Sequence, residues 1–325
     1  MQLDDVLRWR VHRHHLGSVK ATDPVALARR LCGIHAQVAS CAQAAADLRM
    51  DTPPDLDAAL YRDRTLVRTW AARGTLHLLP AADLPYWVAA MSTRERETKG
   101  SWLKYHGVTV DQMADIISAV PDVLGGEPMT REELAAAIIA ATGHEELREP
   151  LTQGFGAILK PLAFRGLLCS GPPRGRNVTF VAPREWLGEQ EPVDLEEAVD
   201  RLALDYLGAY GPAEPAEFAR WFDLRPPLAK QAFQRVRAEI SDAAAEDTVH
   251  LLPAFDPYTV GALRQLEAIS SGPRSAVSRP QGWISPVVLV NGRIEGTWDT
   301  GTITLFRDQP GWVRNALADL GRLAP

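Results

Sequence analysis

The chain has 325 residues, 46% hydrophobic and 23% charged, an ordinary globular composition with length for two or three modules around sizeable cores. Its 35 Lys and Arg against 41 Asp and Glu leave a net charge of −6, which excludes nucleic-acid binding through bulk positive charge and requires any such partner to meet a local basic face. Three cysteines without CxxC spacing exclude a disulfide framework and a cysteine-rich zinc site. The first ten residues carry no signal-peptide pattern, and nowhere do about 18 consecutive apolar residues occur, so a cytoplasmic protein without a membrane partner is expected.

In chain order, residues 4–16 read as a helix with Leu3, Val6, Leu7 and Val11 on one side. Thr22-Asp23-Pro24 signals the start of a second helix, whose spacing continues through Leu31 and Cys32 and includes Gly33. After an alanine-rich stretch and a short helix at 56–62, the runs LVRTWAA and GTLHLLP read as two strands joined at Arg73-Gly74, and Asp83-Leu84-Pro85 opens another helix. The same order recurs. Helices are predicted at 110–120, at 130–141 with a capping box at Thr130 and Glu133, and at 155–165, where Pro161 should kink or shorten the last. The strands LLCSG and NVTFVAP follow, around a tip of Pro172-Pro173-Arg174-Gly175-Arg176. A third copy is predicted with helices at 194–208, 214–222 and 226–240 and the strand VHLLP at 249–253. Last come VVLV and RIEGTW, joined by Asn291-Gly292, a further strand GTITLF and a closing helix at 312–323. The expected fold is therefore α+β and mainly α, with tandem winged-helix modules at 1–108, 109–190 and 191–255 and a small β-rich domain at 256–325.

Charge is unevenly spread. Residues 151–184 hold Lys160, Arg165, Arg174, Arg176 and Arg184 and no acidic residue, and residues 1–30 hold six Lys and Arg against three Asp, whereas 185–250 has a net charge of −9. A phosphate backbone is drawn to the first two regions and repelled by the third. The second strand pair is then either a solvated hairpin or a wing, and in winged-helix order the third helix and the wing are the elements that touch DNA. Lys160 near the third helix, with Arg174, Arg176 and Asn177 at the wing, are the candidate DNA contacts.

Several chemistries leave no trace. His12, His14 and His15 look like a metal cluster, but residues two apart on a helix do not face each other, and neither HExxH nor a spaced carboxylate accompanies them, so no metal is assigned. His106, His144 and His250 read as structural. No GxSxG and no phosphate-binding glycine loop occurs, and no cofactor is implied. One segment stands apart. Leu31-Cys32-Gly33-Ile34-His35-Ala36-Gln37 presents His35 and Gln37 two residues apart, which in extended backbone directs both to one side. Such a pair either satisfies nearby backbone groups or holds one water between two hydrogen-bonding side chains.

This segment, the run Arg68-Thr69-Trp70-Ala71-Ala72-Arg73-Gly74-Thr75-Leu76-His77-Leu78-Leu79-Pro80, the run Leu252-Pro253-Ala254-Phe255-Asp256-Pro257-Tyr258 and the run from Val290 to Trp298 closely resemble the AlkZ-like bacterial DNA glycosylases. The resemblance covers almost the whole chain and implies tandem winged helices with a C-terminal β domain. It also implies a monofunctional glycosylase that cuts the glycosidic bond of N7- or N3-alkylated purines in double-stranded DNA, acts on bulky adducts of genotoxic natural products, and needs no obligate protein partner. The family's catalytic motif is Gln-Φ-Gln or Gln-Φ-Asp, and the matching positions here are His35-Ala36-Gln37, an H-Φ-Q version. Gln37 would orient the water through its carbonyl oxygen, and neutral His35 would take its proton. Arg73 is read as positioning a phosphate or the catalytic loop, or as structural. The alternative from a different class is a winged-helix transcriptional regulator without catalysis. A third is an interaction scaffold acting through the acidic 185–250 face.

Overall fold

The computed structural model describes residues 2–94, 96–154, 156–237 and 246–323. The chain divides into two compact units. The first comprises Met1–Asp55, Ala203–Glu217 and Val236–Pro325, and the second Leu56–Leu202 and Phe218–Arg235. The stretches 1–108 and 191–255 each contribute to both units.

In the first unit the opening helix is Leu3–Arg13, and it buries Val6, Leu7 and Val11 together with Trp9 and Arg10. The next helix, Pro24–Arg30, starts as its sequence signal requires: the Asp23 carboxylate accepts from the amides of Val25 at 2.9 Å and Ala26 at 2.8 Å. It ends sooner than its apolar spacing suggests. Cys32 and Gly33 adopt φ of 52° and 88°, a left-handed pair that stops the helix and turns the chain into the short strand Ile34–His35.

The C-terminal sheet is antiparallel, in the order Thr302–Leu305, Arg293–Asp299, Val287–Val290, Val249–Leu252. Here the structure corrects the reading of the third module. The strand VHLLP forms no wing; Val249 pairs with Val290 and Leu252 with Val287, so it closes the edge of the C-terminal sheet. The physical reason is that Val287–Val290 is buried along its whole length and has hydrogen-bonding partners on both sides. One face of that strand packs Val287 and Leu289 with Leu7, Leu252, Tyr258 and Ile294. The other packs Val288 and Val290 against Val313 and Leu317 of the closing helix, Gly311–Leu323. Asn291 and Gly292 form the hairpin turn with φ of 50° and 83°, the pair of left-handed residues that a tight two-residue turn needs.

In the second unit Leu66–Trp70 and Leu76–Pro80 pair antiparallel, with Leu66 opposite Pro80 and Trp70 opposite Leu76. The connection Ala72–Gly74 has φ of 57° at Arg73 and 68° at Gly74. A second sheet runs in the order Met129–Thr130, Asn177–Val181, Cys169–Arg174. Thr130 caps the helix Arg131–Thr142 through the expected capping box, its amide donating to Glu133 at 2.7 Å. The helix expected at 155–165 is only Lys160–Phe164; Phe155 lies outside the described residues, and Pro161 sits in the first turn, where its missing N–H is harmless, so it opens the helix. The strand Cys169–Arg174 runs on through Pro172 and Pro173, with an irregularity after Gly171, and the turn shrinks to Gly175-Arg176. Of the helices that follow, Leu195–Tyr210 and Pro215–Phe222 each contribute to both units and Pro226–Arg235 belongs to the second; the expected extension of the last to 240 reaches residues outside the described set. Among the described residues no helix is long and apolar enough to cross a membrane.

A Cβ added at Gly292 would stand 2.5 Å from the backbone carbonyl oxygen of Leu7, at a residue already left-handed. Gly292→Ala is therefore expected to lower stability by about 1–3 kcal/mol, the cost of overpacking a closed core, read as a lower urea midpoint at unchanged slope.

Candidate active site

The residues of the H-Φ-Q segment lie in the first unit. His35 is buried on the strand Ile34–His35, Ala36 is buried beside it, and Gln37 is exposed. The imidazole of His35 lies parallel to the ring of Phe255, with centroids 5.4 Å apart and planes 10° apart. Phe255 meets Trp283 edge-on at 5.0 Å. Phe255 itself has φ of 58°, which a bulky side chain adopts only where its surroundings hold it.

The restraint is the next residue. Asp256 is fully buried and accepts from both terminal nitrogens of Arg49, at 2.9 and 2.7 Å, while Arg49 is also fully buried and donates to the carbonyl of Ala45 at 2.7 Å. Asp256 in addition caps the helix Pro257–Gly261 by accepting from the amide of Tyr258 at 2.9 Å. The Tyr258 hydroxyl donates to Gly292, and the Tyr210 hydroxyl donates to the carbonyl of Leu31, four residues before His35. His14 sits between these two rings, edge-on to Tyr210 at 5.4 Å and Tyr258 at 5.1 Å, with Nε2 3.0 Å from the Ala209 carbonyl. Burial holds its pKa well below the usual histidine value, and Arg49 nearby lowers it further. It is a neutral core residue. Among the described residues no group of three His, Cys, Asp or Glu side chains is placed to hold a metal ion.

The proposed DNA contacts lie in the second unit, where Arg73 and Lys160 line one cavity of about 880 Å³ together with Arg94, Lys104, Trp102 and Tyr105. Glu97, Glu146, Glu149 and Asp223 also face it, so its charge is mixed. Arg73 is exposed and its guanidinium stands 5.8 Å from the ring of Trp221. Arg94 is buried, donating to the carbonyls of Ala71 at 3.1 Å and Phe222 at 2.9 Å. At the turn that follows the strand Cys169–Arg174, Arg176 and Asn177 are exposed. Arg174 is exposed as well, but it binds Glu133 at 2.7 Å and the Pro128 carbonyl, which ties this hairpin to the capping box. The remaining single histidines have local partners: His144 contacts Asp115 at 2.8 Å, and His106 packs on Trp102.

The family of AlkZ-like DNA glycosylases matches residues 28–320. The chain belongs to the AlkZ-like DNA glycosylase family. A relative from Streptomyces sahachiroi, named an interstrand DNA cross-link repair glycosylase, is 34% identical over 322 residues, covering 90% of this chain and 86% of the relative. The solved structure of the Streptomyces sahachiroi DNA glycosylase AlkZ matches with a TM-score of 0.88 at 32% identity, covering 100% of this chain and 96% of that one. This AlkZ-like chain is accordingly a DNA glycosylase, an enzyme acting on DNA, with the mixed helix-and-sheet fold of that structure.

Sequence reasoning did not single out Arg49, Phe255, Asp256 or Trp283 as parts of the site. One signal was available: Asp256-Pro257 repeats the Asp-Pro helix start of Asp23-Pro24. Nothing in the sequence marks Arg49 as the partner of Asp256, because 207 residues separate them.

Two outcomes are expected. Asp256→Ala should cost about 3–5 kcal/mol, because it leaves Arg49 buried without its counter-charge, whereas the double variant Arg49→Met with Asp256→Leu should recover much of that loss in chemical denaturation. Stability should also fall as pH drops from about 6.5 towards 4. Burial lowers the pKa of His14 and brings His77 and His250 down to about 4, so the unfolded chain takes up protons first, at about 1.4 kcal/mol per pH unit for each such histidine. Urea midpoints across that range test it; a flat profile contradicts neutral buried imidazoles.

Proposed function

We propose that this DNA glycosylase hydrolyses the N-glycosidic bond of N7- or N3-alkylated purines in duplex DNA, with bulky natural-product adducts as its substrates, and that His35 and Gln37 carry the reaction. The observation that supports this best is the parallel packing of His35 on Phe255, whose backbone is held by the Arg49–Asp256 pair. A residue kept at a fixed orientation by a stacked ring is suited to general-base work, where placement decides the rate. The relative named for cross-link repair supports the bulky end of the substrate class.

Alkylation at N7 makes the purine a cation. When the bond from C1′ to N9 breaks, its electron pair leaves with the base, which departs neutral and needs no added proton. The sugar carries the developing positive charge, as in glycoside hydrolysis generally. Gln37, exposed beside the buried His35, orients a water by accepting its hydrogen bond, and His35 takes the proton as oxygen bonds to C1′. The carboxylate next to Phe255 is not a rival base, since both oxygens of Asp256 are engaged by Arg49. The protein's DNA contacts in this reading are Arg73 and Lys160 at the cavity of the second unit and Arg174, Arg176 and Asn177 at its wing.

His35→Ala and Gln37→Ala are each expected to slow base release from an N7-alkylguanine duplex by about 100-fold or more in single-turnover assays, and an unchanged rate would remove that residue from the mechanism. Arg174→Ala with Arg176→Ala should leave the single-turnover rate at saturation unchanged. Binding should weaken, with the slope of log affinity against log salt falling by about two, the signature of two lost phosphate contacts. A slope that does not move places the wing away from DNA.

A further inference from the structure

Trp283 is the outermost member of the stack that begins at His35. It is 47% exposed, although its ring packs at 5.0 Å on the side of Phe255, whose own ring lies on His35. An exposed indole held in one place needs a rigid support, and the chain supplies one. Ser278 bridges antiparallel to Ile284, the Arg279 amide donates to the Trp283 carbonyl at 2.8 Å, and Gln281 and Gly282 turn the chain with φ of 61° and 79°. Ser285 anchors the base of this hairpin, its amide donating to Val277 at 2.9 Å and its hydroxyl to Ala276 at 2.7 Å. Arg279 and Trp283 stand opposite each other on the two arms, so their side chains leave from one face. Both are exposed.

A cation and an exposed ring that leave one face of a hairpin can together recognise a nucleotide: the guanidinium meets the phosphate and the indole meets the flat face of the base. Arg279 and Trp283 are exposed, whereas Ile284 and Ser285, which follow them, are buried. We propose that Trp283 is a substrate-binding residue of this glycosylase, which stacks on an unstacked nucleobase at the lesion while Arg279 holds an adjoining phosphate. The proposal rests on the reading of His35 as part of the active site, because the stack is what places the indole there. The nucleobase has two sources, the alkylated purine itself or the base opposite it, and the chemistry of recognition is the same for both.

Single-turnover release from a duplex with one N7-methylguanine, measured over a range of enzyme concentrations, separates half-saturation from maximal rate for wild type, Trp283→Ala, Trp283→Phe, Arg279→Ala and His35→Ala. Trp283→Ala is expected to lower the ratio of maximal rate to half-saturation about tenfold or more, the usual loss of one stacked base, with an unchanged thermal midpoint. Trp283→Phe should restore most of it. Arg279→Ala should raise half-saturation and reduce its salt dependence by about one phosphate contact. A second duplex with an abasic analogue opposite the lesion assigns the source. A Trp283→Ala defect that persists there assigns the indole to the modified purine, and one that vanishes assigns it to the opposite base. Trp283→Ala with wild-type values on the first duplex, while His35→Ala is inactive, overturns the role of Trp283 and leaves the site reading intact. A defect matched by a lower thermal midpoint and not rescued by Trp283→Phe overturns it too. His35→Ala at the wild-type rate, or no release by wild type, overturns the site reading and with it this proposal.

Discussion

The arrangement of the first unit depends on one ion pair, that of Arg49 with Asp256. Both side chains are fully buried, and the two residues come from opposite ends of the chain. Removing two charges from water is costly, and the attraction between them repays it only when the geometry is bidentate and the remaining hydrogen-bonding capacity is used. Much of it is used: Arg49 also reaches the Ala45 carbonyl and Asp256 also caps a helix, while the Nε of Arg49 stays without a partner. Such a pair contributes little net stability compared with an apolar substitute. What it supplies is a single permitted register between the segment after the helix Ala39–Asp47 and the turn that precedes Pro257. Phe255 is the residue that must follow that register, and His35 lies on its ring.

The rings around the pair are polar but neutral, and the buried Arg10 beside them donates to the carbonyls of Tyr210 and Gly211. His14 is buried between Tyr210 and Tyr258, and desolvation raises the pKa of both phenols while it lowers that of the imidazole. Each hydroxyl donates to a backbone carbonyl, of Leu31 in one case and Gly292 in the other, so the rings brace the approach to the H-Φ-Q segment and the hairpin turn of the C-terminal sheet. The proposed reaction, whose leaving group is already cationic, gains from this economy of charge. A free carboxylate is unnecessary as a base when the base departs early, and the carboxylate nearest to Phe255 is already committed.

In the proposed reading the second unit has a different task, contact with a polyanion by a chain of net charge −6. It does so locally. Arg73 is presented by a left-handed residue in the connection between two strands, Lys160 opens a helix whose second residue is a proline, and Arg176 sits in a two-residue turn. Each is placed by backbone punctuation. Arg94, by contrast, is turned inward to satisfy the carbonyls of Ala71 and Phe222, and Arg174, exposed beside the turn, also binds Glu133. Positive residues in the same stretch of sequence therefore have different roles, set by which unsatisfied oxygen lies within reach.

Much of this was legible from local chemistry. Asp23-Pro24, the capping box at Thr130 and Glu133, and Asn291-Gly292 each specify their structure through contacts within a few residues, and each appears where its chemistry places it. The runs around His35, Trp70, Phe255 and Asn291 identified the family. Where the reading went astray, a long-range partner or a backbone detail had decided. VHLLP joined the C-terminal sheet because Val287–Val290 takes a pairing partner on each side, and the helix from Pro24 stopped at Arg30 because Cys32 and Gly33 adopt left-handed backbone. The sequence by itself determined the family, the local caps and turns, and the polar pair offered at positions 35 and 37. Only the tertiary structure decided that His35 is buried against Phe255, that Arg49 meets Asp256, and that Trp283 stays exposed at the end of the stack. Those are contacts between residues far apart in the chain, and no local propensity or spacing encodes which distant side chain will share a desolvated site.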